Sequence, residues 1–477
     1  MEPDDTDSGY AAMADAARRA IAYRRAVAGA ERTPVASYAE MLAAFAVPVP
    51  ERGGDPAAII EELVTRATPG IRATTGSRFF GWVIGGSHPT GVAADWLTAA
   101  WGQNAANLHA APAASAIEAV TAGWLLDLLG LPAQASVGFV TGATVANFVC
   151  LAAARSEVLR RAGWDVEADG LFGAPPITVL IGEDAHATVY SGIKYLGLGA
   201  QRVRTIACDA SGRMLAGAFE RAMAETSGPV IAIGQAGQIN TGACDPFAEI
   251  AQIANQTGAW LHVDGAFGLW AQASPAQAHL TAGVELADSW ATDGHKWLQT
   301  PYDSGFAIVR DAEAHRRAMA ITASYLPPAE GAERDPSAYV PELSRRARGF
   351  AAWAMIRQLG RQGIADMVAG HCAIAKHMAE RLAAVPGVAL VCPVELNQFM
   401  VCFGDGDAAD ALTLATVKQV QEDAIAFIGS ALWRGRRVMR VSVSSVATTM
   451  ADADVTVDAV IDAWQRIRAG RFVRCAP

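Results

Sequence analysis

Short apolar runs alternate along this chain with longer segments whose apolar residues recur at helical spacing. The runs at 137–140, 177–181, 202–207, 230–234 and 260–263 read as strands, and the segments 143–161, 187–196, 216–226 and 247–257 read as the helices between them. That rhythm predicts an α/β domain with a mainly parallel sheet sandwiched by helices. Before it come amphipathic helices at 11–27, 38–45 and 57–67, interrupted by a Pro/Gly break at 48–56. They are too few to build a core of their own and must pack on the large domain or on a second protomer. Downstream of 344–348 the pattern changes to helices at 351–359 and 364–385, strands near 388–391 and 399–403, a helix after Thr413, a strand at 437–444 and a closing helix at 451–467. The expected organisation is a helical arm (1–82), a large α/β domain (83–348) and a smaller C-terminal α+β domain (349–477).

Composition narrows the function classes. With 52% hydrophobic and 18% charged residues in 477, the chain can bury sizeable cores and further surface in an oligomer interface. A net charge of −10 without basic patches argues against nucleic acid and anionic membranes and for a small-molecule partner. The seven cysteines are odd in number and scattered without a CxxC pair, which signals neither a disulfide framework nor a metal site and suits a reducing cytoplasm. The acidic start, Glu2, Asp4, Asp5 and Asp7, is the opposite of a signal peptide. Residues 128–154 carry no charge, but Gly130, Pro132, Gly138 and Gly142 divide them into shorter buried elements.

Chemistry concentrates at predicted strand ends. Trp260-Leu261-His262-Val263 delivers Asp264 at its C-terminal edge, where open α/β sheets bind ligands. Lys296 follows His295 in a short polar turn before Trp297 and Leu298, an odd place for a solvated charge. An amine to hold an aldehyde as a Schiff base, with an acid to keep a ring nitrogen protonated, points to pyridoxal phosphate (PLP). His186 stands after a strand and before a helix, where it is either a cap or a ring lying over a flat cofactor. Gly142-Ala143-Thr144 turns a strand into a long helix, a geometry suited to phosphate and equally to close packing. Gln238, Asn240 and Thr241 could reach a cofactor or close their turn, and the polar residues Gln103, Asn104, Asn107 and His109 need partners in an apolar segment. The Pro-rich stretch 322–344, with Tyr325 and Tyr339, has the length of a lid; Arg345, Arg346 and Arg348 behind it read as structural.

With Asp293-Gly294-His295-Lys296-Trp297, His262-Val263-Asp264-Gly265-Ala266 and Asp184-Ala185-His186 in this order, the chain resembles the group II PLP-dependent decarboxylases, which include aromatic amino acid, glutamate, histidine and diaminobutyrate enzymes. The likeness runs from about residue 35 to the C-terminus. It implies a fold type I homodimer with active sites at the subunit interface and the arm wrapped over the partner. It also implies Lys296 as the Schiff-base lysine, Asp264 on the pyridine nitrogen and His186 stacked on the ring. Ala143 and Thr144 would lie by the phosphate, His295 beside the cofactor, and Tyr339, by its distance to Ser344-Arg345-Arg346, would supply the catalytic proton ahead of Tyr325. The expected reaction is decarboxylation of an L-amino acid to its amine. Transamination and carbon–carbon lysis are alternative fold type I reactions, and decarboxylation coupled to oxygen-dependent deamination or to transamination follows if the proton donor is missing. Asn107, near His109, stands where aromatic amino acid decarboxylases carry an aromatic residue, which counts against an indole or catechol substrate.

Overall fold

In the computed structural model, which describes residues 3–27, 35–321 and 334–470, three helices precede the sheet: α1 (Pro3–Val27), α2 (Tyr38–Phe45) and α3 (Pro56–Ala67). Local chemistry sets their starts. Ser37 and Glu40 form a capping box on α2, while Asp55 caps α3 with Pro56 in its first turn. Neither α2 nor α3 buries a residue, and Tyr38 is 81% exposed. The last residues of the expected arm are bound to the small domain instead. Phe80 N donates to Phe427 O at 2.8 Å, Ser442 N donates to Phe80 O at 3.0 Å, and the Phe80 ring lies in the small-domain core.

The large domain contains α4 (Pro89–Trp101), α5 (Pro112–Leu128), β1 (Ser136–Val140), α6 (Ala143–Arg161), α7 (Val166–Asp169), β2 (Thr178–Gly182), α8 (Ala187–Tyr195) and β3 (Arg204–Ile206). It continues through α9 (Ala216–Ala224), β4 (Val230–Gln235), α10 (Phe247–Thr257), β5 (Trp260–Asp264), β6 (Ser289–Asp293), β7 (Gly305–Val309) and α11 (Ala312–Met319). The seven strands lie in the order β1-β7-β6-β5-β4-β2-β3. Only β7 runs against its neighbours, so the mainly parallel sheet is borne out. Alternate residues feed cores on opposite faces: Ile231 and Ile233 join the one under α6, Ala232 the other. The charge-free stretch is the end of α5, β1 and most of α6, and no helix among the described residues is long and apolar enough to cross a membrane.

Strand β6 is the element its own sequence hides, because Ser289, Thr292 and Asp293 give it the look of a polar turn. All five of its residues are buried between β5 and β7. The Ser289 hydroxyl accepts from Trp260 Nε1 at 2.9 Å and lies 3.0 Å from His262 Nδ1, which is how the polar side chain is satisfied there.

The small domain begins with α12 (Gly349–Ala383), which reads in sequence as two helices and breaks at Gly360, φ +63°. Against it packs an antiparallel sheet of β8 (Val388–Leu390), β9 (Gln398–Phe403), β10 (Gly429–Trp433) and β11 (Arg436–Ser442), covered by α13 (Ala409–Glu422) and α14 (Met450–Arg468). The arginines at the junction are structural, as expected. Arg345 forms a buried two-pronged pair with Glu118 at 2.6 and 2.9 Å, Arg346 pairs with Asp95, and Arg348 lies 2.8 Å from Asp303.

Three core histidines make the fold acid-sensitive. His262, His315 and His371 are buried and hydrogen-bonded, and burial pushes them down to about 3, 3 and 4 from 6.5. Since the unfolded chain binds these protons below its pKa of 6.5, stability falls as pH falls toward the folded values, by about 1.4 kcal/mol per unit for each histidine. Asp245, pushed up to about 6 by burial, acts in the opposite sense: its stability is full below 3.8 and lost as pH rises through 6. These four groups together take up about two protons on unfolding near pH 5, contributing a slope of about 3 kcal/mol per pH unit. Denaturant titrations across that range check it, and a flat profile contradicts it.

Candidate active site

The C-terminal ends of the parallel strands converge on a cavity of about 320 Å³. Strand β5 supplies Asp264 at its last position, and β6 ends at Asp293, from which the turn through Gly294 carries His295 and Lys296. From β1 the chain passes Gly142 into the first turn of α6, and from β2 it reaches His186, the N-cap of α8. Lys296, Asp264, His186, His295, Ala143 and Thr144 all line this one cavity. Residues far apart in sequence thus meet as the reading of their motifs requires.

Asp293 holds the centre. Its Oδ1 accepts from Ala143 N at 2.6 Å, and its Oδ2 lies 3.0 Å from Lys296 Nζ and 3.6 Å from His295 Nε2. His295 Nδ1 accepts from Ser304 N at 3.3 Å, so its proton sits on Nε2, toward Asp293. Burial holds the His295 pKa below the ordinary value, partly opposed by Asp293. His186 is cap and cavity wall together: Nδ1 accepts from Thr188 N at 3.3 Å and lies 2.8 Å from Thr188 Oγ1. Burial lowers its pKa, with Asp264 opposing, so the ring is neutral near pH 7.

Burial raises the pKa of Asp264, and His186 and Lys296 oppose the shift. The described hydrogen bond to its carboxylate is one long contact from Ala266 N, 3.3 Å, so most of its acceptor capacity faces the cavity. A protonated ring nitrogen answers that need. At the other side of the cavity no side chain caps α6 from Gly142. A Cβ on Gly142 would lie 3.0 Å from His295 Cε1, so the glycine lets a helix start come close to the site, as a phosphate requires. The residues fit PLP: amine, ring acid, stacking ring and phosphate cradle.

Two expected residues stand away from the cavity of their own chain. The Tyr339 ring packs edge-on to His315 at 5.2 Å, under the Arg334 guanidinium at 4.6 Å, and its carbonyl lies 3.0 Å from His315 Nε2. Distance along the chain to the arginines could not reveal that His315, on α11, claims this tyrosine. Tyr325 lies outside the described residues. Asn107 is likewise occupied locally, its Oδ1 accepting from His109 N and Ala110 N at 3.1 and 2.9 Å as a turn cap, and it does not line the cavity of its own chain. Gln238 closes its turn by accepting from Asn240 N and Thr241 N.

Three residues escaped the sequence reading. Tyr302 lines the cavity with its ring stacked on His295 at 4.1 Å, and burial raises its pKa, so the phenol keeps its proton. Arg440, on β11, reaches across from the small domain to Ile239 O and Asn240 Oδ1 at 3.2 and 3.3 Å; among the described residues no carboxylate pairs with it, and its charge lowers the pKa of His186. Phe267 also lines the cavity, with Lys296 Nζ 6.0 Å from its ring centre. Tyr302 alone had a sequence signal, standing six positions after Lys296 in the same turn.

The profile of the pyridoxal-dependent decarboxylase conserved domain matches residues 39–404. The aromatic-L-amino-acid decarboxylase of Bacillus atrophaeus is 30% identical over 319 residues, which span 65% of this chain and 64% of that enzyme. The phenylacetaldehyde synthase of Arabidopsis thaliana is 25% identical over 360 residues, 72% of each chain. The crystal structure of Oryza sativa TDC with PLP and tryptamine superposes with a TM-score of 0.91 over 98% of this chain and 99% of that one, at 21% identity, a likeness of fold.

Proposed function

The chain belongs to the pyridoxal-dependent decarboxylases and is a PLP-dependent carboxy-lyase of amino acids, and on that footing we propose how its own residues divide the work. The observation that carries the proposal is the meeting of Lys296, Asp264 and His186 in one cavity at the strand ends. Lys296 Nζ would hold the cofactor's aldehyde as a Schiff base. Asp264, buried and short of hydrogen-bond donors, keeps a proton on the ring nitrogen. When bound, PLP takes up the electron pair left on Cα as CO₂ departs. His186, fixed by Thr188, presents a neutral flat ring to the cofactor face, and the first turn of α6 with Ala143 and Thr144 receives the phosphate. Tyr302, whose phenol keeps its proton, is assigned to return that proton to Cα, giving the amine. A second reading, loss of CO₂ followed by oxidative deamination to an aldehyde, with O₂ reduced to hydrogen peroxide and the nitrogen released as ammonia, is favoured by the likeness to phenylacetaldehyde synthase.

The assembly is proposed to be a homodimer, with the arm covered by the partner. Tyr38, Leu42, Phe45, Val49, Ile59 and Leu63 of the arm are between 43% and 89% exposed, large apolar side chains that a partner surface would cover. The cytoplasm is the proposed compartment, in keeping with six described cysteines that are free thiols.

Incubation with a panel of L-amino acids, scoring CO₂, amine and aldehyde separately, tests the proposal; absence of CO₂ release from every member in the presence of PLP refutes it. Asp264→Ala is expected to lower kcat by ~10²-fold or more while the fold survives, since it removes the charge that stabilises the developing electron density. Activity within a few-fold of the parent reduces Asp264 to a turn residue.

Tyr302→Phe keeps the stack on His295 and loses the hydroxyl. It is expected to slow amine formation by ~10²-fold and to shift product toward aldehyde, whereas Tyr339→Phe leaves rate and product unchanged. The opposite ranking returns the proton to the Pro-rich stretch.

Light scattering is expected to give twice the chain mass of 49.8 kDa. The double substitution Leu42→Asp, Leu63→Asp is expected to lower it to one chain. A monomeric parent contradicts the covered arm.

A further inference from the structure

Gln299 follows the lysine turn and adopts φ +60°, a left-handed conformation that costs a non-glycine residue free energy and that glycine would take without strain. Its side chain offsets that cost. Fully buried, the amide uses both ends twice: Oε1 accepts from Gly86 N at 2.9 Å and Val446 N at 3.1 Å, and Nε2 donates to Lys296 O at 2.9 Å and Ser444 O at 2.8 Å. These four groups belong to three separate parts of the chain. Gly86 lies in the loop before α4, Lys296 in the turn after β6, and Ser444 and Val446 in the segment after β11 of the small domain.

The loop before α4 is seated directly on the lysine's backbone. A Cβ at Gly85 would lie 2.2 Å from His295 O and 2.6 Å from Lys296 O, and one at Gly86 would lie 2.5 Å from Ser445 Oγ. From the other side Arg24, on α1, donates to Ser87 O at 2.5 Å and to Gly86 O at 3.2 Å. The Gln299 amide therefore joins the 85–87 loop, on which Arg24 of the arm is seated, to the small domain and the lysine at one point. We propose that Gln299 is a positioning residue for Lys296, holding the lysine's carbonyl to the 85–87 loop and to the 444–446 segment so that the amine keeps its place in the cavity only while both are seated. The proposal rests on the reading in which Lys296 holds PLP.

The test uses the full-length holoenzyme and two substitutions. Gln299→Met keeps the volume and removes all four bonds; Gln299→Glu keeps acceptors for Gly86 N and Val446 N and loses the donors to Lys296 O and Ser444 O. Both variants, folded by circular dichroism, are expected to lose PLP at least tenfold faster on dilution. Both should change the acetylation rate of Lys296, read by mass spectrometry, at least threefold, and lower kcat at least tenfold with KM within threefold. Amide exchange across 84–88 and 444–447 should rise at least tenfold in Gln299→Met. If Gln299→Met does not fold, Gln299→Glu carries the test by itself. PLP retention and Lys296 acetylation within twofold of the parent overturn the proposal, even where the melting temperature drops, because a merely structural glutamine predicts that pattern. A parent that binds no PLP refutes the reading of Lys296 instead, while its acetylation and exchange rates, compared with the variants', still decide the role of Gln299.

Discussion

The Asp293 carboxylate is the point on which the site depends. It is 2% exposed, and it reaches the first backbone N–H of α6, the amine of Lys296 and the ring of His295 with its two oxygens. Its own backbone is fixed in turn, N–H to Ala266 O at 2.9 Å and carbonyl to Trp270 Nε1 at 2.9 Å. A buried carboxylate without such partners costs several kcal/mol, so helix start, lysine turn and the chain after β5 have a shared reason to converge. Close approach needs small residues at the same place. A Cβ on Gly305 would lie 2.5 Å from Gly142 Cα, and that glycine pair lets the start of β7 pass against the turn into α6.

Burial sets the electrostatics around that centre in a consistent direction. It raises the pKa of Asp264 and lowers those of His186 and His295, pushing each group toward its neutral form. The cavity is therefore poised for a cation beside Asp264, since a positive ring nitrogen restores the charge that burial disfavours and supplies the missing donor. His186 needs no such restoration. Its Nδ1 is engaged at the start of α8, which leaves a neutral ring suited to lie against a flat conjugated system.

The sheet and the cavity-lining residues Asp264, His186 and Lys296 were legible because their signals are local. Buried parallel strands announce themselves as apolar runs, and Asp264, His186 and Lys296 stand at strand ends where the chain turns polar. Strand β6 was not legible from periodicity, since Ser289, Thr292 and Asp293 are polar for reasons that lie on other strands: the hydroxyl serving Trp260 and His262, the carboxylate serving α6. The surroundings of Tyr339 were hidden for the same reason, since its neighbours His315 and Arg334 are set by tertiary packing. Arg440 could not be found at all by spacing, because its relation to the cavity exists only once the small domain is docked.

That docking shapes the cavity as much as the strand ends do. The β10–β11 hairpin lays Arg434 against Asp184 at 2.5 Å, two residues before His186, and β11 sends Arg440 to the turn at Ile239. Both contacts fall on segments that carry cavity-lining residues, so a small tilt of the small domain moves two walls of the site together. Interdomain interfaces ordinarily permit such motion. Here the seam is also crossed by the buried Gln299 amide, which has few alternative partners in the space it occupies, and the loss of its hydrogen bonds on separation opposes that motion. A rigid seam keeps the walls of the cavity at fixed distances from Lys296 and Asp264, the condition for a substrate held in one orientation as its carboxylate departs.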